Sequence, residues 1–206
     1  MCIITLGRQF GSGGHKLGRR LATALNIDFY DNELITLAAK EAGLAPEFFA
    51  QSDEKIAGAR FSAGGMGGFP IGAPLFGYLP LLPNDTLFQI QAGLIRDLAQ
   101  KGSGLFVGRC ADYILREHPK RISLFVHAPL EARIQRVRQR LQKEQPTQNL
   151  DDKALGDLIL KKDKARAAYY HHYTGKTWGA AASYDLCFNS ELDFEDKLIE
   201  YLKNLQ

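Results

Sequence analysis

The sequence predicts an α/β domain in which an open parallel sheet carries helices on both faces. Three observations predict it. The chain opens with an apolar, β-branched run, Ile3-Ile4-Thr5-Leu6, then a glycine-dense turn, Gly11-Ser12-Gly13-Gly14, then a segment with Leu17, Leu21, Ala24 and Leu25 on one face. That order reads as strand, loop and helix. Short apolar runs keep alternating with helix-period segments to the end of the chain, as βα units joined by right-handed crossovers do. The run Ile122 to His127 is nearly all apolar, as a strand buried on both faces of a parallel sheet would be.

The elements follow in order. Ile27 to Tyr30 reads as a second short strand ended by Asp31, which is placed to cap a helix striped with Leu34, Ile35, Ala38 and Ala39 and stopped by Gly43. A short helix is expected over Pro46 to Ala57. Between Gly58 and Pro83 lie seven of the twenty glycines and four of the eight prolines, mixed with Phe61, Phe69, Phe76 and Tyr78. So much apolar surface does not suit a simple linker. The excursion reads either as a flap that packs when a ligand binds or as an Ω-type loop or subunit contact, the latter making a homo-oligomer.

Asp85 or Thr86 opens a helix with Leu87, Ile90, Leu94, Ile95 and Leu98 on one face, and Gly102 ends it. Leu105-Phe106-Val107 is a strand running into Gly108-Arg109, followed by a short helix over Ala111 to Glu117. Pro129 opens a basic helix with Arg133, Arg136, Arg138 and Arg140. A polar loop, Glu144 to Asn149, leads to a helix carrying Lys161, Lys162, Asp163 and Arg166, after which the peptide YYHHYTGKTWG is expected as a separate segment. A strand over Asp185 to Phe188 and a helix with Phe194, Leu198, Ile199 and Leu202 close the chain.

Composition bounds the function classes. The 206 residues suffice for one hydrophobic core, with ordinary globular usage. A net charge of +3 is too small to argue for a nucleic acid partner. No apolar run approaches the ~18–20 residues of a membrane span. The three cysteines, Cys2, Cys110 and Cys187, lack metal-type spacing and read as free thiols of a cytoplasmic protein. The first strand begins almost at Met1, so no secretory leader is expected. His171 and His172 are adjacent, point apart on a helix and have no third ligand at suitable spacing, so no metal-ligating residues are expected.

The glycine turn is the centre of the functional reading. Glycines let backbone N–H groups approach a phosphate, and a helix N-terminus adds roughly half a positive charge. Gly11, Ser12, Gly13, Gly14, His15 and Lys16 therefore read as a phosphate cradle, the alternative being a tight turn whose glycines only permit packing. In open parallel sheets, ligands sit beyond the carboxyl ends of the strands. The cradle, Asp31 and Gly108-Arg109 all fall there. A phosphoryl-transfer site must hold donor and acceptor in line and neutralise charge, and arginine suits that work because its planar fork grips phosphate oxygens in pairs. Arg109 and Arg133 are placed near strand ends. Asp163 and Arg166 share a helix face, either as a structural pair or as a fork presented to a nucleotide.

The order of motifs resembles the cytidylate kinase-like family of P-loop nucleoside monophosphate kinase relatives. The residues that carry the likeness are Arg8-Gln9-Phe10-Gly11-Ser12-Gly13-Gly14 with Gly18, Phe29-Tyr30-Asp31, Val107-Gly108-Arg109-Cys110-Ala111-Asp112-Tyr113-Ile114-Leu115, Tyr173-Thr174-Gly175-Lys176, and Tyr184-Asp185-Leu186-Cys187. The resemblance implies one P-loop kinase domain over 1–206 with a five-stranded parallel core. It implies ATP and magnesium at the glycine loop, a nucleoside monophosphate such as CMP between Asp31, the 58–83 excursion and Arg109, and a short lid at about 139–149. It further implies nucleotide contacts from Asp163 and Arg166, a donor-site role for Arg133, and substrate binding near Asp112.

The chain also departs from that pattern. Gly14 stands where the usual loop has its lysine and His15 where it has its hydroxyl. Cys110, not aspartate, follows Arg109, and Asn32-Glu33-Leu34-Ile35 replaces a segment that normally brings an arginine to the acceptor phosphate. Losing one such contact removes a charge-assisted hydrogen bond, about 1.5–3 kcal/mol. His15, Lys16, Arg8 or Arg133 would have to supply the missing loop charge, and Lys16, Arg109, Arg133 and Arg166 are the catalytic candidates. Three functions fit: an ATP-dependent kinase, a regulatory nucleotide-binding protein that has lost the lysine, and a dinucleotide-dependent oxidoreductase. The last is suggested by Gly11-x-Gly13 with Asp31 twenty residues beyond Gly11, although Lys16 stands at the third glycine.

Overall fold

The computed structural model describes residues 2–31, 85–144 and 150–205. The 58–83 excursion, the two helices expected between Asp31 and Ala57, and the 145–149 part of the expected lid lie outside the described residues. The elements are β1 (Ile3–Arg8), α1 (Gly14–Leu25), β2 (Asp28–Tyr30), α2 (Asp85–Lys101), β3 (Gly104–Val107), α3 (Ala111–Ile114), β4 (Arg121–His127), α4 (Leu130–Glu144), α5 (Asp152–Thr174), a 3-10 turn (Ala181–Ser183), β5 (Leu186–Asn189) and α6 (Glu195–Lys203). Five strands form one parallel sheet in the order β2-β3-β1-β4-β5. The expected parallel α/β architecture is the observed one.

β1 is central because both of its faces are apolar. Ile3 packs with Phe106, Phe125 and Tyr184 under α2, α3 and α5, while Ile4 and Leu6 pack with Leu17, Leu21, Leu124 and Leu198 under α1 and α6. Ile3, Ile4 and Leu6 are at most 1% exposed, and truncating one such side chain to alanine typically costs about 2–5 kcal/mol. Register sets Leu6 beside Val107 and Arg8 beside Val126. The glycine loop after β1 and the Gly108-Arg109 turn after β3 thus leave the same edge of neighbouring strands.

The strand order also bears on the oxidoreductase reading. In the dinucleotide-binding order 3-2-1-4-5-6 the strand bearing the ribose acid lies directly beside the first. Here β3 lies between β1 and β2, which removes the basis for giving Asp31 that role.

Two boundaries differ instructively from expectation. The short helix after β3 ends at Ile114 rather than Glu117. α5 runs without a break through Tyr169-Tyr170-His171-His172-Tyr173-Thr174, so most of the peptide expected after it is its last turns. Packing makes the extension: Tyr173 stacks on Phe88 of α2 at 3.9 Å between ring centroids, and Tyr169 meets both rings edge-on. Gly175, at φ +67°, then terminates the helix, its N–H bonding the His171 carbonyl. At the other end Asp151 caps α5 by accepting from the Ala154 N–H at 2.7 Å.

The same aromatic layer holds an acid. The Tyr170 hydroxyl donates to Asp112 Oδ2 at 2.6 Å, and Tyr170 stacks near Tyr184. Burial pushes the Asp112 carboxyl above its ordinary value, against the pull of that hydrogen bond, Lys176 and Arg121. A folded state that holds a proton more tightly than the unfolded chain loses stability as pH rises through the interval between the two values. Asp112→Asn keeps an acceptor for Tyr170 and removes the buried charge. Thermal melts should show the variant gaining on the wild type at pH 7, with the gap closing as pH falls below about 4, the ordinary carboxylate value.

Candidate functional site

The loop between β1 and α1 is a backbone cradle. Gly11 and Gly13 adopt φ of +78° and +80°, a left-handed conformation that costs glycine little and other residues more. They turn the chain so that α1 starts at Gly14 with no cap from Gly13 itself, the Gly14 N–H reaching Ser12 Oγ at 3.4 Å. Open N–H groups and the helix dipole at that point favour an anion. The loop is braced from behind. Ser12, fully buried, receives the Ser190 hydroxyl on its carbonyl at 2.6 Å. Arg136 Nη1 donates to Ser190 Oγ at 3.0 Å and pairs also with Glu191.

A second brace is ionic. The Phe10 N–H donates to Asp163 Oδ1 at 2.7 Å, and the other oxygen of Asp163 is paired with Arg133, whose Nη1 also reaches the Phe10 carbonyl at 3.4 Å. Arg133 is 4% and Asp163 8% exposed. The two residues, expected as separate nucleotide contacts, are bound to each other, and they fix where the loop begins. Asp163 pairs with Arg133 across thirty positions of sequence and not with Arg166.

The other expected residues fall into two groups. Arg166 Nη1 donates to the Arg8 carbonyl at 3.1 Å, at the very end of β1. Arg109 leaves β3 within the turn Gly108-Arg109-Cys110, all three at positive φ (+77°, +57° and +57°), a strained run of the kind that persists at functional sites. Arg109 lies over the Tyr169 ring at 5.7 Å, and burial pulls its guanidinium below its ordinary value. Burial likewise pushes the Cys110 thiol up to about 12. Asp31, 7% exposed, stands 3.0 Å from His15 Nε2, so β2 joins the first turn of α1. Lys16 is exposed on that turn. Asp112 alone points away, into the tyrosine layer.

Three features escaped the sequence. Phe10 is a platform for cations: Lys162 Nζ lies 3.9 Å from its ring centroid, with Arg140 at 5.1 Å and Arg166 at 5.5 Å. Burial, with Arg140 and Arg166 nearby, lowers Lys162 to about 8. Arg8 is pushed down to about 9 by burial, then by Arg166 and Arg109, with Asp31 opposing. Finally, a cavity of about 540 Å³ opens beside the loop, lined by Gln9, Phe125, His127, Trp178, Gly179 and Asn189 among others. An aromatic at a position such as Phe10, between a strand and its glycine turn, is the one signal that could have pointed to the platform. The charges come from helices far along the chain.

The arrangement can bind a polyanion. It has a backbone cradle, arginines converging on one strand end, and a carboxylate next to the helix N-terminus. Among the described residues no group of three or more His, Cys, Asp or Glu side chains is gathered to hold a metal alone. Breaking a buried ion pair by removing one partner typically costs about 3–5 kcal/mol. Arg133→Met should therefore lose stability of that order in urea unfolding, because Asp163 is left charged against Phe10.

Comparison with known proteins places this geometry. No curated protein sequence matches the chain. The crystal structure of an uncharacterized protein from Eubacterium ventriosum has a TM-score of 0.68 and 26% sequence identity, with 98% of each chain covered. That of shikimate kinase from Bacteroides thetaiotaomicron has a TM-score of 0.53 and 17% identity over 99% of this chain and 97% of that one, a likeness of fold. Over residues 3–192 the sequence matches the cytidylate kinase-like family, and this chain, with its kinase-type sheet behind a glycine loop, belongs to that family.

Proposed function

We propose that the protein is a kinase that binds ATP on the Gly11–Lys16 loop and transfers its γ-phosphate to a small acceptor, a nucleoside monophosphate such as CMP. The observation that carries this reading is the meeting, at one sheet edge, of a helix N-terminus behind two left-handed glycines with Arg8, Arg109 and Arg166. Like charges gathered in a partly dry site raise the cost of folding unless an anion joins them.

Each residue has work in this scheme. The loop amides hold the donor phosphates, and Arg166 and Lys162 reach them from α5. Arg109, rigid in its strained turn, orients the acceptor phosphate. Asp31 holds His15 and, with the loop, offers the oxygen that a hydrated magnesium ion needs besides phosphate. When bound, magnesium ATP supplies the phosphoryl group and neutralises its leaving oxygens. Trp178 and Phe125, with Gln9 and Asn189 beside them, offer a stacking wall with polar groups for a flat base.

One observation favours a second reading, a regulatory protein that binds nucleotide without transfer: Gly14 stands in place of the loop lysine. A coupled assay across nucleoside monophosphates separates the two. The kinase reading expects turnover with at least one acceptor and a loss in kcat/KM of about 10–150-fold for Arg109→Ala, the worth of one charge-assisted contact. Binding of ATP with no transfer to any acceptor would select the regulatory reading.

A further inference from the structure

We propose that Arg8 takes the place of the missing loop lysine, and that Gly14 is glycine because the Arg8 side chain occupies the space a residue-14 side chain would need. The inference rests on the nucleotide-binding reading above and assigns within it the charge that the loop itself lacks.

The path of Arg8 is marked by two glycines. A Cβ placed on Gly14 would lie 2.7 Å from Arg8 Cβ and 3.2 Å from Arg8 Cγ, with Val126 Cβ also at 3.2 Å. Contacts under 3.0 Å to a stem of this kind cannot be relieved by swinging the end of a flexible chain. The first part of the Arg8 side chain therefore runs across the first residue of α1. A Cβ on Gly108 would lie 2.2 Å from Arg8 Nη1 and 3.4 Å from its Cζ. The guanidinium head thus arrives at the turn that carries Arg109. In the usual loop a lysine starts from the helix and reaches forward to the outer phosphates. Here an arginine starts from the end of β1 and crosses in front of the helix to the same edge of the sheet.

The surroundings of the head suit a phosphate. Among the described residues no side chain hydrogen-bonds or ion-pairs with the Arg8 guanidinium, and Asp31 is the acid whose field reaches it. Arg166 holds the Arg8 carbonyl, which fixes the root of the side chain. Burial and two neighbouring arginines disfavour its charge, so a phosphate between these groups would relieve a standing repulsion. Arginine also binds two phosphate oxygens at once where lysine offers a point charge.

The test uses ATP and inorganic tripolyphosphate as probes, calorimetry for binding and ligand-free thermal melts for packing. Arg8→Met should weaken ATP and tripolyphosphate about 10–150-fold, while Arg8→Lys, which keeps the charge, should lose far less. Gly14→Lys alone should lower the melting temperature, because two stems compete for one path. Adding Arg8→Gly, which removes the Cβ as well as the rest of the stem, to Gly14→Lys should recover melting temperature and return part of the binding. Wild-type affinity in Arg8→Met overturns the assignment and leaves the kinase reading standing. So does a Gly14→Lys protein whose stability is indifferent to Arg8→Gly. A wild-type protein that binds neither probe overturns the nucleotide reading and this assignment together.

Discussion

The contact on which the rest of the site depends is the one Asp163 makes with the Phe10 backbone. A glycine loop left to itself has many conformations, and its amides present a cradle only when both ends are held. One end is held by α1. The other is held by a carboxylate on α5, itself locked to Arg133 on α4. The loop, the two long helices and the edge of the central strand thus form one rigid unit around Phe10, Val137, Leu155 and Ile159. A buried ion pair is a weak source of net stability. Its use here is geometric: the charge of Asp163 is tolerable only with both Arg133 and the Phe10 N–H in place, so the loop has one starting point.

The same logic governs the cations. Phe10 gathers three positive groups around its ring, and the quadrupole of the ring supports their charge. The aromatic residue next to the loop therefore does two things, pinning the backbone through its amide and supporting charge through its ring. The arginines at the sheet edge are likewise spread over β1, the β3 turn and α5. Three separate elements must dock before their fields add, so the proposed anion site is assembled only in the finished fold.

How far the sequence reveals this depends on distance along the chain. The strand–loop–helix unit was legible because its signals are local: β-branched residues, then glycines, then a 3.6-residue apolar stripe. The sheet was legible because each strand end is marked by a polar residue or glycine, as at Tyr30-Asp31 and Val107-Gly108-Arg109. The pairing of Arg133 with Asp163 was not legible. Both residues stand out as site candidates, but nothing in either helix marks them as each other's partner, and only the packing of α4 on α5 joins them. The last turns of α5 were misjudged for a similar reason. Adjacent tyrosines and histidines have modest helix propensity, and the stacking of Tyr173 on Phe88 decides the matter from 85 residues away. Gly14 was read as an absence, the loss of a lysine. In three dimensions it is the clearance through which another side chain passes.

One consequence of the strained turn concerns oxidants. Cys110 sits directly after Arg109, a position where a reactive thiol would tie the site to the redox state of its surroundings. Cys110 is buried, and that burial pushes its thiol up to about 12, which disfavours the thiolate that oxidants and electrophiles attack. The left-handed turn that lays Arg109 over Tyr169 packs Cys110 into the cluster that holds Ala111 and Ile114. The backbone geometry that presents the arginine also shields its neighbour from chemistry, leaving this corner of the protein electrostatically active and chemically inert.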